Sequence, residues 1–204
     1  MSEKHQEDLL HIRSMMERSS RFISLSGLSG FFAGITALIG GGYAFKLLED
    51  NGIHYFDGET KQYSFDLILQ LITVAVLILL IALFFGVLFT IRKSKQNNLA
   101  IWTSATKKLL LSLMIPLVTG GFVCIALIYQ DLFVLVAPIT LVFYGLGLIN
   151  AEKYTFSDIK YLGLSEVVLG ILALFFLGSG FVFWMLGFGV LHIFYGLLLF
   201  KKYK

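Results

Sequence analysis

Six long apolar runs, separated by short polar stretches, fill nearly all of this 204-residue chain beyond residue 20. A helix rises ~1.5 Å per residue, so roughly 20 apolar residues cross a ~30 Å hydrocarbon core. The runs cover residues 22–45, 65–91, 109–129, 132–149, 161–177 and 181–200. The pattern predicts an all-α polytopic membrane protein: a bundle of six transmembrane helices over 22–200, with an amphipathic segment at 1–21 and a basic tail at 201–204. Only Gln130-Asp131 separates the third and fourth runs, and only Gly178-Ser179-Gly180 the last two. Fusing either pair would give a helix of about 40 residues, too long for one crossing. Both are therefore read as tight helical hairpins.

Charge supports the same reading. Soluble domains carry about a quarter charged residues; here the share is 14%. With the N-terminus in the cytoplasm, all sixteen Lys and Arg residues fall on the cytoplasmic side except Lys46 and Lys61. Such a bias predicts both termini inside and an even number of crossings. The N-terminal segment lacks the features of a cleavable signal peptide, so the first run is expected to remain as a span. Leu9, Ile12 and Met16 recur at helical spacing beside Arg13, Arg18 and Arg21, which fits an interfacial helix. Trp102 lies within the basic stretch 92–108, as an interface anchor would. In the stretch 47–64, Asn51-Gly52 and Asp57-Gly58 are turn formers.

Ionisable groups inside a span are costly, about 2.5–3.5 kcal/mol at a helix centre on insertion scales, and normally face protein or water. The last two runs each hold one. Gly163, Glu166 and Gly170 are spaced like Gly189, His192 and Gly196. Glu166 and His192 are expected to face the bundle interior at similar depth and to hydrogen-bond, with the glycines bringing their two helices together. Two uses follow: a polar clamp for the hairpin, or a protonatable pair for proton coupling, sensing or ligand capture. Tyr144 and Asn150 are candidates to line the same inner vestibule. Pro116 and Pro138 are expected to bend the third and fourth spans.

Ser26, Gly30 and Gly34 begin a small-residue stripe on the first span. Small residues let membrane helices approach closely. The stripe fits packing within the bundle or, alternatively, a homodimer seam.

Catalytic and metal chemistry find little material. His192 is the one histidine within the runs, and Cys124 is the only cysteine. A zinc or di-iron centre needs several nitrogen, sulfur or carboxylate ligands. No phosphate-binding glycine loop, no Ser–His–Asp set and no basic surface interleaved with aromatics is present. The expectation is a protein without cofactor, metal or nucleic-acid partner. It would be a non-enzymatic sensor, accessory or stress-related component, or alternatively a small transporter or channel using Glu166 and His192. Its surroundings would be lipid, with a small molecule or lipid as ligand.

The stretch from Tyr144 to Tyr154 (YGLGLINAEKY), the segment from Tyr161 to Glu166, the segment from Trp184 to Gly196 and the opening from Arg21 to Gly27 resemble a group of uncharacterised six-span bacterial inner-membrane proteins. That resemblance implies a six-helix fold in a bacterial inner membrane and no established activity. Some of those proteins are labelled monooxygenases, an activity for which this chain lacks the histidines.

Overall fold

The computed structural model describes residues 26–53 and 63–203, and the fold among these residues is entirely helical. The 1–21 segment and the Asp57-Gly58 turn lie outside the described residues. Helix α1 spans Gly27–Asp50, α2 Phe65–Gln96, α3 Ser104–Tyr129, α4 Val136–Ala151 and α5 Ile159–Phe175. The last helical stretch is composite: α6 (Gly180–Trp184), a π-helical segment (Met185–Leu191) and α7 (His192–Lys202). Short 3-10 turns flank α4 at Phe133–Leu135 and Glu152–Tyr154, and another at Leu177–Ser179 leads into α6.

Five stretches are long and apolar enough to cross a membrane: α1, α2, α3, α4 with its flanking turns, and the composite last helix. This is a multi-pass membrane protein. Helix α5 has 17 residues, about 26 Å of rise, and is shorter than these five. Exposed leucine, isoleucine, valine and phenylalanine cover the outer surface, as expected where the surrounding solvent is hydrocarbon.

The helices outrun the apolar runs that mark them. Helix α2 continues through Arg92, Lys93 and Lys95 to Gln96, and α3 starts at Ser104, five residues before its apolar run. Backbone hydrogen bonding, once nucleated, continues into polar sequence until a cap stops it. For α3 the cap is a reciprocal pair: Thr103 Oγ1 accepts from the Thr106 amide, and Thr106 Oγ1 accepts from the Thr103 amide. The basic ends of α2 and the last helix also suit the negative pole of the helix dipole.

The turn at Gln130-Asp131 is as tight as its two-residue length implies. Asp131 has φ 59°, the left-handed region that short polar side chains tolerate. Asn51-Gly52 closes α1 in the same manner, with Gly52 at φ 72°. Pro138 sits in the first turn of α4. Helix N–H groups have no partner there, so the proline costs α4 no hydrogen bond of its own.

Two groups of helices pack side by side. Helices α3, α4 and α5 pack in sequence, while α1 lies between α2 and the last helix. The seam between the groups is formed where α4 and α5 meet α6 and the π segment. Helix α2 rests chiefly on α1, and its central turns expose Leu79, Leu80, Leu83 and Phe84.

The glycines set these pairings, and not all as their spacing predicts. Gly30 and Gly34 face the last helix: a Cβ at Gly34 would lie 2.6 Å from the Gly189 carbonyl oxygen, and one at Gly30 would lie 3.4 Å from Gly196 Cα. Ser26 precedes α1, is buried, and accepts from Ser29 Oγ through its carbonyl. The stripe is thus occupied within the chain by the last helix. Gly189 and Gly196 serve the same contact from the other side, against Leu38 and Phe31. Gly163 and Gly170 bring α5 against α4, at Gly145 and Val142. The repeated glycine spacing therefore does not join the last two helices to each other. Each uses its glycines on a different neighbour. A groove of about 400 Å³, lined by Leu164, Val168, Leu186 and Val190 among others, separates α5 from the last helix.

Candidate functional site: a buried Tyr–His–Glu network

Glu166 and His192 do meet, at the seam between the two helix groups. His192 Nδ1 lies 3.3 Å from Glu166 Oε1. Glu166 has no exposed surface and His192 has 6%. Tyr144, from α4, completes the cluster with its hydroxyl 2.8 Å from His192 Nε2. Three separate elements therefore supply one side chain each: α4, α5 and α7.

The proton positions follow from the partners. His192 Nδ1 is 3.0 Å from the carbonyl oxygen of Gly187. A carbonyl only accepts, so the Nδ1 atom carries a proton. In the neutral ring Nε2 is then the acceptor, and the Tyr144 hydroxyl donates to it. Glu166 Oε1 competes with Gly187 for the Nδ1 proton, and neither carboxylate oxygen has a hydrogen-bond partner among the described residues. A buried carboxyl group in this state is poorly compensated unless it gains a proton or the ring does.

The local fold explains the room for it. Glu166 reaches from α5 to Gly187 in the π segment, where a Cβ would collide with Oε2. The π segment runs directly into His192. Single-turn π insertions widen a helix and are common at functional positions. Beyond it, Phe188 stacks on His192 with ring centroids 5.8 Å apart, Tyr144 lies 4.9 Å from Phe188, and Trp184 lies 5.0 Å from it. The network is thus walled by aromatic rings on one side and by Leu141, which is fully buried, on the other.

Asn150 lies elsewhere. Its amide Nδ2 donates to the Ser112 carbonyl at 2.9 Å, joining α4 to α3. Ser112 is four residues before Pro116, and a proline has no N–H to return to the carbonyl four residues back. Asn150 supplies the missing donor. Its role is to seat the proline-bearing helix rather than to line a vestibule with Glu166.

Gly187 was not singled out by sequence, nor was the π segment. The glycine spacing drew attention to 189 and 196, and no composition rule marks a π turn. Among the described residues no group of three or more His, Cys, Asp or Glu side chains is placed to hold a metal ion. Cys124 is a buried free thiol on α3.

A second polar cluster ties the C-terminal end of the last helix to the α4–α5 connection. Lys202 Nζ is 2.9 Å from both Asp158 carboxylate oxygens, the Tyr203 hydroxyl donates to Asp158 Oδ2 at 2.6 Å, and Lys93 Nζ donates to the Tyr203 carbonyl at 2.7 Å. The Tyr203 hydroxyl, together with Lys202, holds the Asp158 carboxyl below its ordinary range against the opposing effect of partial burial. Phe156 stacks on Tyr203 with centroids 4.0 Å apart.

In comparisons with known proteins, no protein family, no curated protein and no solved structure matches the chain.

Proposed function

We propose that this chain is a non-enzymatic membrane sensor or accessory component whose helix packing responds to protonation of the Glu166–His192–Tyr144 network. The observation that supports this reading is the position of the network: it is a polar bridge across an apolar seam, with a fully buried carboxyl group whose oxygens lack hydrogen-bond partners among the described residues. One added proton changes that bridge. On the imidazole it makes an ion pair with Glu166; on Glu166 it removes the buried charge. Loss of the proton leaves a carboxylate facing a neutral ring, which weakens the seam.

The test is hydrogen exchange of the protein in lipid nanodiscs between pH 5 and 8. Protection of the π segment and of α5 is expected to change across this range in the parent chain, and Glu166→Gln and His192→Gln are each expected to flatten the response. Exchange that is independent of pH in the parent chain overturns the reading.

A small proton-coupled transporter or channel is the second reading. It is favoured by the π segment adjoining an intramembrane ionisable pair. Its measure is proton flux in sealed liposomes, abolished by Glu166→Gln. The distribution of Lys and Arg further supports placing both termini in the cytoplasm, with α5 completing six crossings. The resemblance of residues 21–27, 144–154, 161–166 and 184–196 to bacterial inner-membrane proteins supports that membrane as the location. Cysteine labelling at residues 57 and 203 from opposite sides of the membrane tests the topology.

A further inference from the structure

The end of the bundle remote from Lys202 contains a cavity of about 140 Å³ that the Glu166 network does not touch. It is bounded by α1, α2, the α3–α4 turn, the start of α4 and the start of the last helix, including Gly41, Leu48, Ala137 and Ile78. From Leu48 to Gly41 it runs along seven residues of α1, about 10 Å. Two aromatic pairs form part of the wall. Tyr63 and Phe133 have ring centroids 4.9 Å apart, and Phe181 and Trp184 have centroids 5.8 Å apart with planes at 5°. Among the described residues, none that lines the cavity is charged. The Thr140 hydroxyl donates to the Ala137 carbonyl at 2.7 Å, so its proton is already engaged.

These features select a ligand class. A charged group entering the cavity would lose its water and meet no counter-charge. A polar group would find at most the Thr140 hydroxyl oxygen as an acceptor and the tips of Tyr63 and Trp184. Apolar cavities of about 150 Å³ stay dry and accept a benzene-sized guest, and aromatic walls favour rings held edge-on or in offset stacks.

We propose that this cavity is a binding site for a neutral, ring-sized hydrocarbon group. The group comes either from a small aromatic molecule dissolved in the bilayer or from a segment of a phospholipid acyl chain.

Trp184 reports on occupancy. The chain has two tryptophans, and the other, Trp102, is largely exposed at the far end of α2. In a Trp102→Phe background in plain phosphatidylcholine nanodiscs, bromobenzene is the probe, its heavy atom quenching indole fluorescence on contact. Saturable quenching of most of the Trp184 emission is expected. Ala137→Leu, which fills the cavity from α4, is expected to convert it to a weak linear dependence. Ala75→Leu fills it from an exposed position on α2 and keeps the test intact if the first variant folds poorly. Linear quenching in the parent, or saturable quenching unchanged by both filling variants, overturns the proposal. A second arm uses nanodiscs whose phospholipid chains carry bromine. Emission lower in the parent than in the Ala137→Leu form assigns the guest to the acyl chain. Equal emission, alongside saturable bromobenzene quenching in plain lipid, assigns it to a free aromatic.

Discussion

The side-chain amide of Asn150 donates to the carbonyl of Ser112 at 2.9 Å, the carbonyl that Pro116 leaves without its helical donor. One helix thus repairs the backbone of its neighbour. A buried acceptor left unpaired costs about 1–3 kcal/mol.

Replacing Asn150 with Leu is expected to destabilise the protein by about that amount. Pro116→Ala restores the backbone N–H, so Asn150→Leu in that background should cost clearly less. A double-mutant cycle by denaturant unfolding in mild detergent measures the difference. Equal costs in both backgrounds would show that Asn150 acts otherwise.

Glu166 and Gly187 should be coupled by volume. Gly187→Ala places a methyl group against the Glu166 carboxylate, and overpacking of this kind costs about 1–3 kcal/mol. In a Glu166→Ala background the clash with the carboxylate is gone and only the close approach to Leu141 Cδ2, at 2.5 Å, remains, so part of the penalty should disappear. Thermal unfolding of the four proteins provides the comparison.

His192 should hold its neutral proton on Nδ1, because Gly187 offers only an acceptor and Tyr144 can donate to Nε2. Side-chain nitrogen NMR of labelled histidine distinguishes the two tautomers. Tyr144→Phe removes the donor at Nε2 and should shift that resonance while leaving the Nδ1–H signal. A ring protonated on Nε2 alone would contradict the assigned network.

The Asp158 cluster has a defined pH window. The Tyr203 hydroxyl and then Lys202 hold the folded-state carboxyl below its ordinary value. The stabilisation is therefore fully present above the unfolded pKa of about 3.9 and is lost as pH falls through the lower folded value. For so exposed a pair solvent screening keeps the contribution small. Exchange protection of the end of α7 should drop on acidification below about pH 4, and Asp158→Asn should show the low protection at every pH.

The span pattern was legible because lipid imposes one rule on length and one on polarity, and the third and fourth runs kept their two-residue break. Glu166 and His192 were legible for the same reason: an ionisable group in an apolar run stands out. Their helices' glycines misled, since spacing reveals that a face packs closely but not against which neighbour. Gly163 meets Gly145, and Gly34 meets Gly189; each glycine face met a partner that its own spacing did not specify. Pro116 announced an orphaned carbonyl at Ser112, yet the donor came from residue 150, which no local rule connects to it. The π segment depends on how Met185–Leu191 is held in the bundle, and has no composition of its own.

Helices α2 and α5 differ greatly in length, at 32 and 17 residues. From exposed Tyr161 to exposed Phe175, α5 offers lipid a hydrophobic height of about 21 Å, against an average hydrocarbon thickness of about 30 Å. With α5 as the sixth crossing proposed above, lipids bordering it would dip by several ångströms, while those along α2 need not. The protein's rim is uneven in height. That gradient gives short-chain lipids, and any neighbour of matching height, a preferred side on which to gather.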